Sequence, residues 1–274
     1  MSQHICFIGG GNMASSLIGG LIANGHSADA ITACDPNEQQ RQTLQEKFAI
    51  ATSAEAATVI AQADAVVLAV KPQIMRLVCE PLASALVSHK PVVISVAAGV
   101  RCADLDRWLG GEQAIVRCMP NTPALYSHGA AGLYATAGVS EAQRELSSYI
   151  ANAVGMSEWV EQEHLIDAVT ALSGSGPAYG FLLLEAMQSA GVSLGLAEST
   201  ARRLATQTIL GAAVMARDDE RDAGTLREAV TSKGGTTAAA LNVFEQAGFR
   251  ELVAEAMKAA CTRADELANE TGDA

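Results

Sequence analysis

The stretch Ile5-Cys6-Phe7-Ile8-Gly9-Gly10-Gly11-Asn12-Met13-Ala14 decides the fold: four apolar residues, three glycines, then a small-residue helix carrying Leu17, Ile18, Leu21 and Ile22. A short apolar run bounded by glycine predicts a strand. Gly9-x-Gly11-x-x-Ala14 directly after it has the spacing of a dinucleotide-binding turn. Gly9 permits the tight turn, Gly11 lets the backbone approach a pyrophosphate, and Ala14 lets helix and strand pack closely. The amides that open the helix are then free to face an anion. Gly10, Asn12 and Met13 complete the expected contact surface. A glycine turn by itself is a weak signal, since many serve only to reverse the chain. The order strand, turn, helix gives this one its weight.

Outward from it, Ile31 to Cys34, Ala65 to Val70, Val92 to Val96 and Ile115 to Cys118 repeat the Val- and Ile-rich pattern, with helical stretches between them. The runs at 65–70 and 92–96 are apolar at successive positions, so both faces of those strands are covered. This predicts an α/β fold whose N-terminal part is a Rossmann-type, doubly wound, mostly parallel sheet. Asp35 ends the second run, where a carboxylate accepts hydrogen bonds from an adenosine ribose and favours NADH over NADPH. No arginine stands beside it, Arg41 being a helical turn or more further on. Asp35 reads alternatively as the start of a turn with Pro36-Asn37. Ala69-Val70-Lys71-Pro72 and Ala97-Ala98-Gly99 leave strand ends on the ligand side of such a sheet and are expected to line the nicotinamide half of the site. Lys71 also reads as an ordinary solvated lysine. The loop Met119-Pro120-Asn121-Thr122-Pro123 is rigid and polar, with no role legible in its composition.

Beyond Glu161 no strand pattern recurs, and alanine, leucine and glutamate dominate. Residues 1–161 thus read as a dinucleotide-binding domain and 162–274 as an all-α domain. Pro177 falls in the first turn of a helix over Ala178 to Ala190, with Gly191 expected to cap its end. Ser199 to Ala216 carries few charges on any face, which predicts burial against a partner chain or a neighbouring helix. Ser232-Lys233-Gly234-Gly235-Thr236-Thr237 precedes the apolar-periodic helix Ala238 to Phe244. Hydroxyls and unpaired amides converge there, and the helix dipole favours negative charge, so the segment suits a small carboxylate. It reads equally as a capping turn with no ligand.

Composition excludes several function classes. With 30 acidic and 18 basic side chains in 274 residues the formal charge is −12, which disfavours a phosphate-backbone grip on nucleic acid. The longest apolar runs fall far short of the roughly 20 residues a membrane span needs. The N-terminus lacks the basic region and cleavage site of a secretory leader, so a cytoplasmic protein is expected. Six scattered cysteines with no C-x-x-C pair read as reduced thiols, and no metal site is expected. No motif positions His4, His26, His89, His128 or His164 as a catalyst.

Gly9-x-Gly11-Asn12-Met13, Val70-Lys71-Pro72, Ala97-Ala98-Gly99, Arg117-Cys118-Met119-Pro120-Asn121-Thr122-Pro123, Leu172-Ser173-Gly174-Ser175-Gly176-Pro177-Ala178-Tyr179 and Ser232-Lys233-Gly234-Gly235-Thr236-Thr237 together resemble the pyrroline-5-carboxylate reductases, essentially end to end. The resemblance implies reduction of the cyclic imine 1-pyrroline-5-carboxylate to L-proline, the last step of proline biosynthesis, with NADPH or NADH. It also implies a Rossmann domain followed by a helical domain that interlocks into homodimers, often five to a ring as a decamer. Residue by residue, it assigns Ser232, Gly234, Gly235, Thr236 and Thr237 to the substrate carboxylate and ring nitrogen, with Thr237 as hydrogen-bond donor in catalysis. It places Glu163 near the ring nitrogen. Two positions depart from the family pattern. Lys233 stands where proline is frequent, and Asp35 stands where NADPH-preferring members often have a small polar residue. A β-hydroxyacid dehydrogenase is a rival, but its catalytic lysine has no counterpart, since no lysine occurs between Lys90 and Lys233. A nucleotide-binding regulatory protein without turnover is a rival of another class.

Overall fold

The computed structural model describes residues 3–272. Eight strands form one sheet: β1 (Ile5–Ile8), β2 (Ile31–Cys34), β3 (Ala51–Ser53), β4 (Ala65–Leu68), β5 (Val92–Ser95), β6 (Ile115–Met119), β7 (Gly129–Ala135) and β8 (Gly155–Trp159), in the order β3-β2-β1-β4-β5-β6-β7-β8. Pairing is parallel throughout except between β6 and β7. The five strand runs read from the sequence are all present. The antiparallel step at β7 and the strands β3, β7 and β8 had no clear local signal.

Helices α1 (Asn12–Ala23), α2 (Glu38–Phe48), α3 (Ala57–Ile60), α4 (Met75–Cys79), α5 (Ala83–His89), α6 (Cys102–Trp108) and α7 (Glu141–Asn152) connect the strands. They divide between the two faces, as strand periodicity requires. Ile5 and Phe7 point into one core with Leu17, Ile18, Leu21 and Ile150. Cys6 and Ile8 point into the other with Met75, Leu86 and Leu105. Each large side chain so buried contributes about 1.5–3 kcal/mol, which is why four-residue strands suffice here.

The remaining helices are α8 (Leu165–Val169), α9 (Gly176–Ser193), α10 (Glu198–Asp218), α11 (Ala223–Ala229), α12 (Thr236–Gln246) and α13 (Phe249–Gly272). A π-helical turn, Thr170–Gly174, joins α8 to α9, and its register is marked by the Ser175 N–H donating to the Thr170 carbonyl at 2.8 Å. Pro177 lies in the first turn of α9, as read. Gly191 does not cap that helix. A Cβ there would sit 3.2 Å from the Ala201 Cβ, so glycine at this position allows α10 a close approach; the chain reverses instead at Gly195, with φ +100°.

By packing, the chain forms two compact units, one reaching to Ser175 and including the segment from Ala259 onward, the other spanning Gly176–Lys258. The compositional change near Glu161 and this packing boundary mark different things. Residues 162–175 are helical in character, yet they belong with the sheet because Ile166 and Ala171 are buried in that unit. In the second unit the helices are apolar but open. Leu182, Leu183, Leu252 and Val253 line a groove of about 430 Å³ between α9 and α13.

Candidate active site

The residues expected to hold a dinucleotide come together at the carboxyl ends of β1, β2, β4 and β5, on either side of the point where the strand order reverses. Gly9 adopts φ +97°, and a Cβ there would lie 2.7 Å from the Ala69 carbonyl oxygen and 2.9 Å from Val70 Cγ1. The β1 turn therefore rests directly on the loop Ala69-Val70-Lys71-Pro72. Gly11 is the N-cap of α1, with no side-chain cap and no acidic residue in the first turn. A Cβ on Gly11 would meet nothing within 4 Å. Exposed Gly11 and Asn12, half-buried Met13, and exposed Lys71 and Ala98 thus border open space at a helix start whose amides are unclaimed by side chains. An anionic pyrophosphate fits that arrangement.

Asp35 is committed to the turn. Its Oδ2 accepts the Gly10 N–H at 2.8 Å and its Oδ1 accepts the Asn37 N–H at 2.9 Å. Gln40 donates to the Gly10 carbonyl from the other side. The expectation that no arginine lies beside Asp35 is corrected: Arg41 Nη1 donates to the Asp35 carbonyl at 2.8 Å and to the Pro36 carbonyl at 3.1 Å. The first turn of α2 aims this long side chain back over the loop, which residue spacing alone did not suggest.

Glu163 lies in the first unit, on the turn before α8. Its Oε1 accepts the Cys102 N–H at 2.7 Å and pairs with Arg117 Nη1 at 3.4 Å. Arg117, on β6 and level with Ser95 at the end of β5, is 2% exposed and also reaches Asp167 Oδ1 at 3.3 Å. Burial pushes the Asp167 carboxyl above its ordinary range against the opposing pull of Arg117. Burial and then Glu163 push the Cys102 thiol far up, so it stays neutral. Sequence pattern marks Arg117 only as part of the Arg117–Pro123 motif, and marks neither Cys102 nor Asp167 as a site residue. Their partners stand 46 to 61 positions away, where no local pattern can register.

Asn121 gives the Met119–Pro123 loop its purpose: buried, it donates to the Ser173 carbonyl and accepts the Ala130 N–H, both at 2.9 Å. It ties the end of β6 to the π-helical turn and to β7.

Ser232, Gly234, Gly235, Thr236 and Thr237 lie in the second unit. Gly234 has φ +73°, and Gly235 is the N-cap of α12 with no side-chain cap and no acidic first-turn residue. A Cβ on Gly235 would collide with Ser232 Oγ. Ser232, Thr236 and Thr237 are exposed, so their hydroxyls and the α12 amides present an unclaimed donor surface within that unit.

Residues 163–267 match the family described as pyrroline-5-carboxylate reductase dimerisation, and residues 4–99 match the one described as NADP oxidoreductase, coenzyme F420-dependent. A pyrroline-5-carboxylate reductase of Pseudomonas aeruginosa is 52% identical over 271 residues, covering 99% of both chains. Among solved structures, a pyrroline-5-carboxylate reductase of Coxiella burnetii superposes with a TM-score of 0.95 at 44% identity, covering 97% of this chain and 99% of its own. A Plasmodium falciparum pyrroline carboxylate reductase with NADP bound superposes at 0.83 with 28% identity, covering 97% and 98%. The glycine turn, the buried Arg117 motif and the Ser232–Thr237 helix start thus sit in a chain that belongs to the pyrroline-5-carboxylate reductase family.

Proposed function

We propose that this protein reduces 1-pyrroline-5-carboxylate to L-proline with NADPH or NADH, closing proline biosynthesis. The carrying observation is a pair of glycine-preceded helix starts, at α1 and α12, each without a side-chain cap or a first-turn acid. One suits a pyrophosphate and the other a small carboxylate. Gly9, Gly10, Gly11, Asn12, Met13, Asp35, Ala69, Val70, Lys71, Pro72, Ala97 and Ala98 would hold the dinucleotide, which when bound supplies a hydride for the imine carbon. Ser232, Gly234, Gly235, Thr236 and the Thr237 amide hold the substrate carboxylate. Thr237 Oγ1 donates to the ring nitrogen as it becomes an amine, with Glu163 close to that nitrogen. A protonated imine is already electrophilic, so positioning and exclusion of water supply most of the acceleration.

We assign dinucleotide binding to residues 1–161, and dimerisation with substrate binding to 162–274. The open apolar faces of α9 and α13 support association into an interlocked homodimer, and five such dimers into a decamer, because apolar patches of this extent seldom stay in water. We place the protein in the cytoplasm, in keeping with five buried free thiols. No described helix is long and apolar enough to cross a membrane. The test is direct: protein, NADPH and pyrroline-5-carboxylate are mixed and the reduced-nicotinamide absorbance is followed. Loss of the band with matching formation of proline is expected; an unchanged band with bound nucleotide would favour a regulatory protein instead.

A further inference from the structure

Gln40 departs from what its place in the helix predicts. It is the third residue of α2, and its N–H donates to Oδ1 of the N-cap Asn37 at 3.4 Å. Gln143 holds the same place in α7, where its side chain reaches back to accept the N–H of the N-cap Ser140 at 2.9 Å and closes a capping box. In α2 the corresponding Asn37 N–H goes to Asp35 Oδ1, and the Gln40 side chain turns away from its own helix end to donate to the Gly10 carbonyl. Gly10 is thereby held at both polar groups, because Asp35 Oδ2 accepts its N–H at 2.8 Å. It is also seated on α2, where a Cβ at Gly10 would lie 2.9 Å from Gln40 Cγ and from Leu44 Cδ1.

The Gly10 carbonyl and the Gly11 N–H belong to one planar trans peptide unit and point in opposite directions. With the carbonyl tied to α2, the Gly11 N–H points away from α2, at the start of α1 where no side chain caps the helix. We infer that Gln40 is a positioning residue of the dinucleotide site, which aims the Gly11 amide at the pyrophosphate by holding the Gly10 carbonyl. This rests on the proposed dinucleotide site and adds to it a residue from outside the glycine turn. Without the Gln40 donor the peptide unit between two glycines turns more freely, since neither residue has a side chain to hinder rotation. The pyrophosphate is common to NADH and NADPH, so the contribution of Gln40 is the same for both. A group at the adenosine ribose, by contrast, separates the two.

Two variants test this. Q40M keeps the length of the side chain and removes the donor, and Q40L removes it with a different shape. Each is expected to raise Kd about fivefold, by the same factor for NADH and for NADPH, in fluorescence titrations. The Ki of 2′-AMP, which carries the adenosine end without the pyrophosphate, should keep its wild-type value in both. Wild-type Kd values in both variants would overturn the inference. So would a loss confined to one of the two dinucleotides, which would place Gln40 at the ribose, or an equal loss of 2′-AMP affinity, which would make Gln40 a support of the whole adenosine end. Urea unfolding identifies a variant that fails to fold, and the other then decides. A wild-type protein that binds neither dinucleotide would instead refute the site on which the inference rests.

Discussion

Replacing Gly9 and Gly11 separately by alanine should divide the glycine turn into a part that builds the fold and a part that meets the ligand. At Gly9 the backbone is left-handed, which costs an L-residue about 1–2 kcal/mol. The added Cβ would also lie 2.7 Å from the Ala69 carbonyl oxygen and 3.0 Å from its carbon, both backbone atoms that can yield only by opening β1 from β4. Together these should lower unfolding stability by about 2–4 kcal/mol. At Gly11 φ is −65° and nothing lies within 4 Å of the new methyl group. The only structural loss is a poorer N-cap, about 1 kcal/mol. The methyl group would, however, occupy the space over the α1 amides assigned to the pyrophosphate, and NADPH binding should weaken at least about tenfold, worth ~1.4 kcal/mol. Urea unfolding and fluorescence titration with NADPH measure the two effects. A G11A protein that folds and binds NADPH like the wild type would refute the assignment, and a G9A protein of unchanged stability would refute the contact argument.

Arg41→Ala should raise KM for NADPH about tenfold more than for NADH, since an arginine beside the ribose site is placed to meet a 2′-phosphate; equal losses with both cofactors would make Arg41 only a brace for the Asp35 turn. Thr237→Ala should raise KM for pyrroline-5-carboxylate and lower kcat/KM about tenfold, leaving NADPH affinity unaltered in a separate titration. Because burial holds the Asp167 carboxyl above its ordinary value, the folded state keeps this proton longer than the unfolded chain as pH rises. Asp167 therefore lowers stability as pH climbs from its unfolded to its folded pKa. Wild-type minus D167N stability, from unfolding at a series of pH values, should fall across that window and then level off; a difference that rises would reverse the assignment. Leu182→Glu, in the open groove of the helical unit, should give smaller particles and lost activity in analytical centrifugation and assay, whereas an unchanged sedimentation rate would remove this face from the interface.

How much was legible depends on whether the determining contacts are local. The β1 turn was readable because its demands, a left-handed Gly9 and an unobstructed Gly11, fall on adjacent residues. The strands β7 and β8 were not. Gly129–Ala135 is mostly glycine and alanine, and Gly155–Trp159 is half exposed, so their extended form is imposed by pairing with β6 and with each other. Gly191 misled because a glycine near a helix end has two uses, capping and close packing, and only Ala201, ten residues on, distinguishes them. Arg41 is six residues from Asp35 along the chain yet adjacent in space, because its long side chain turns back from the first turn of α2. The Arg117 cluster unites β6, α6 and the turn before α8, and is visible only once the sheet has formed. In the Ser232–Thr237 segment the sequence could not show that α12 starts at Gly235 without a side-chain cap.

The central claim is that a hydride passes from a nicotinamide held over the α1 turn to the imine carbon of pyrroline-5-carboxylate. Supplying NADPH deuterated at both hydrogens of the nicotinamide C4 and weighing the product by mass spectrometry tests it most directly. Proline carrying the deuterium on Cδ, the former imine carbon, in an amount equal to the NADPH consumed, is the predicted result. Unlabelled proline, or consumption of NADPH without proline, would contradict it.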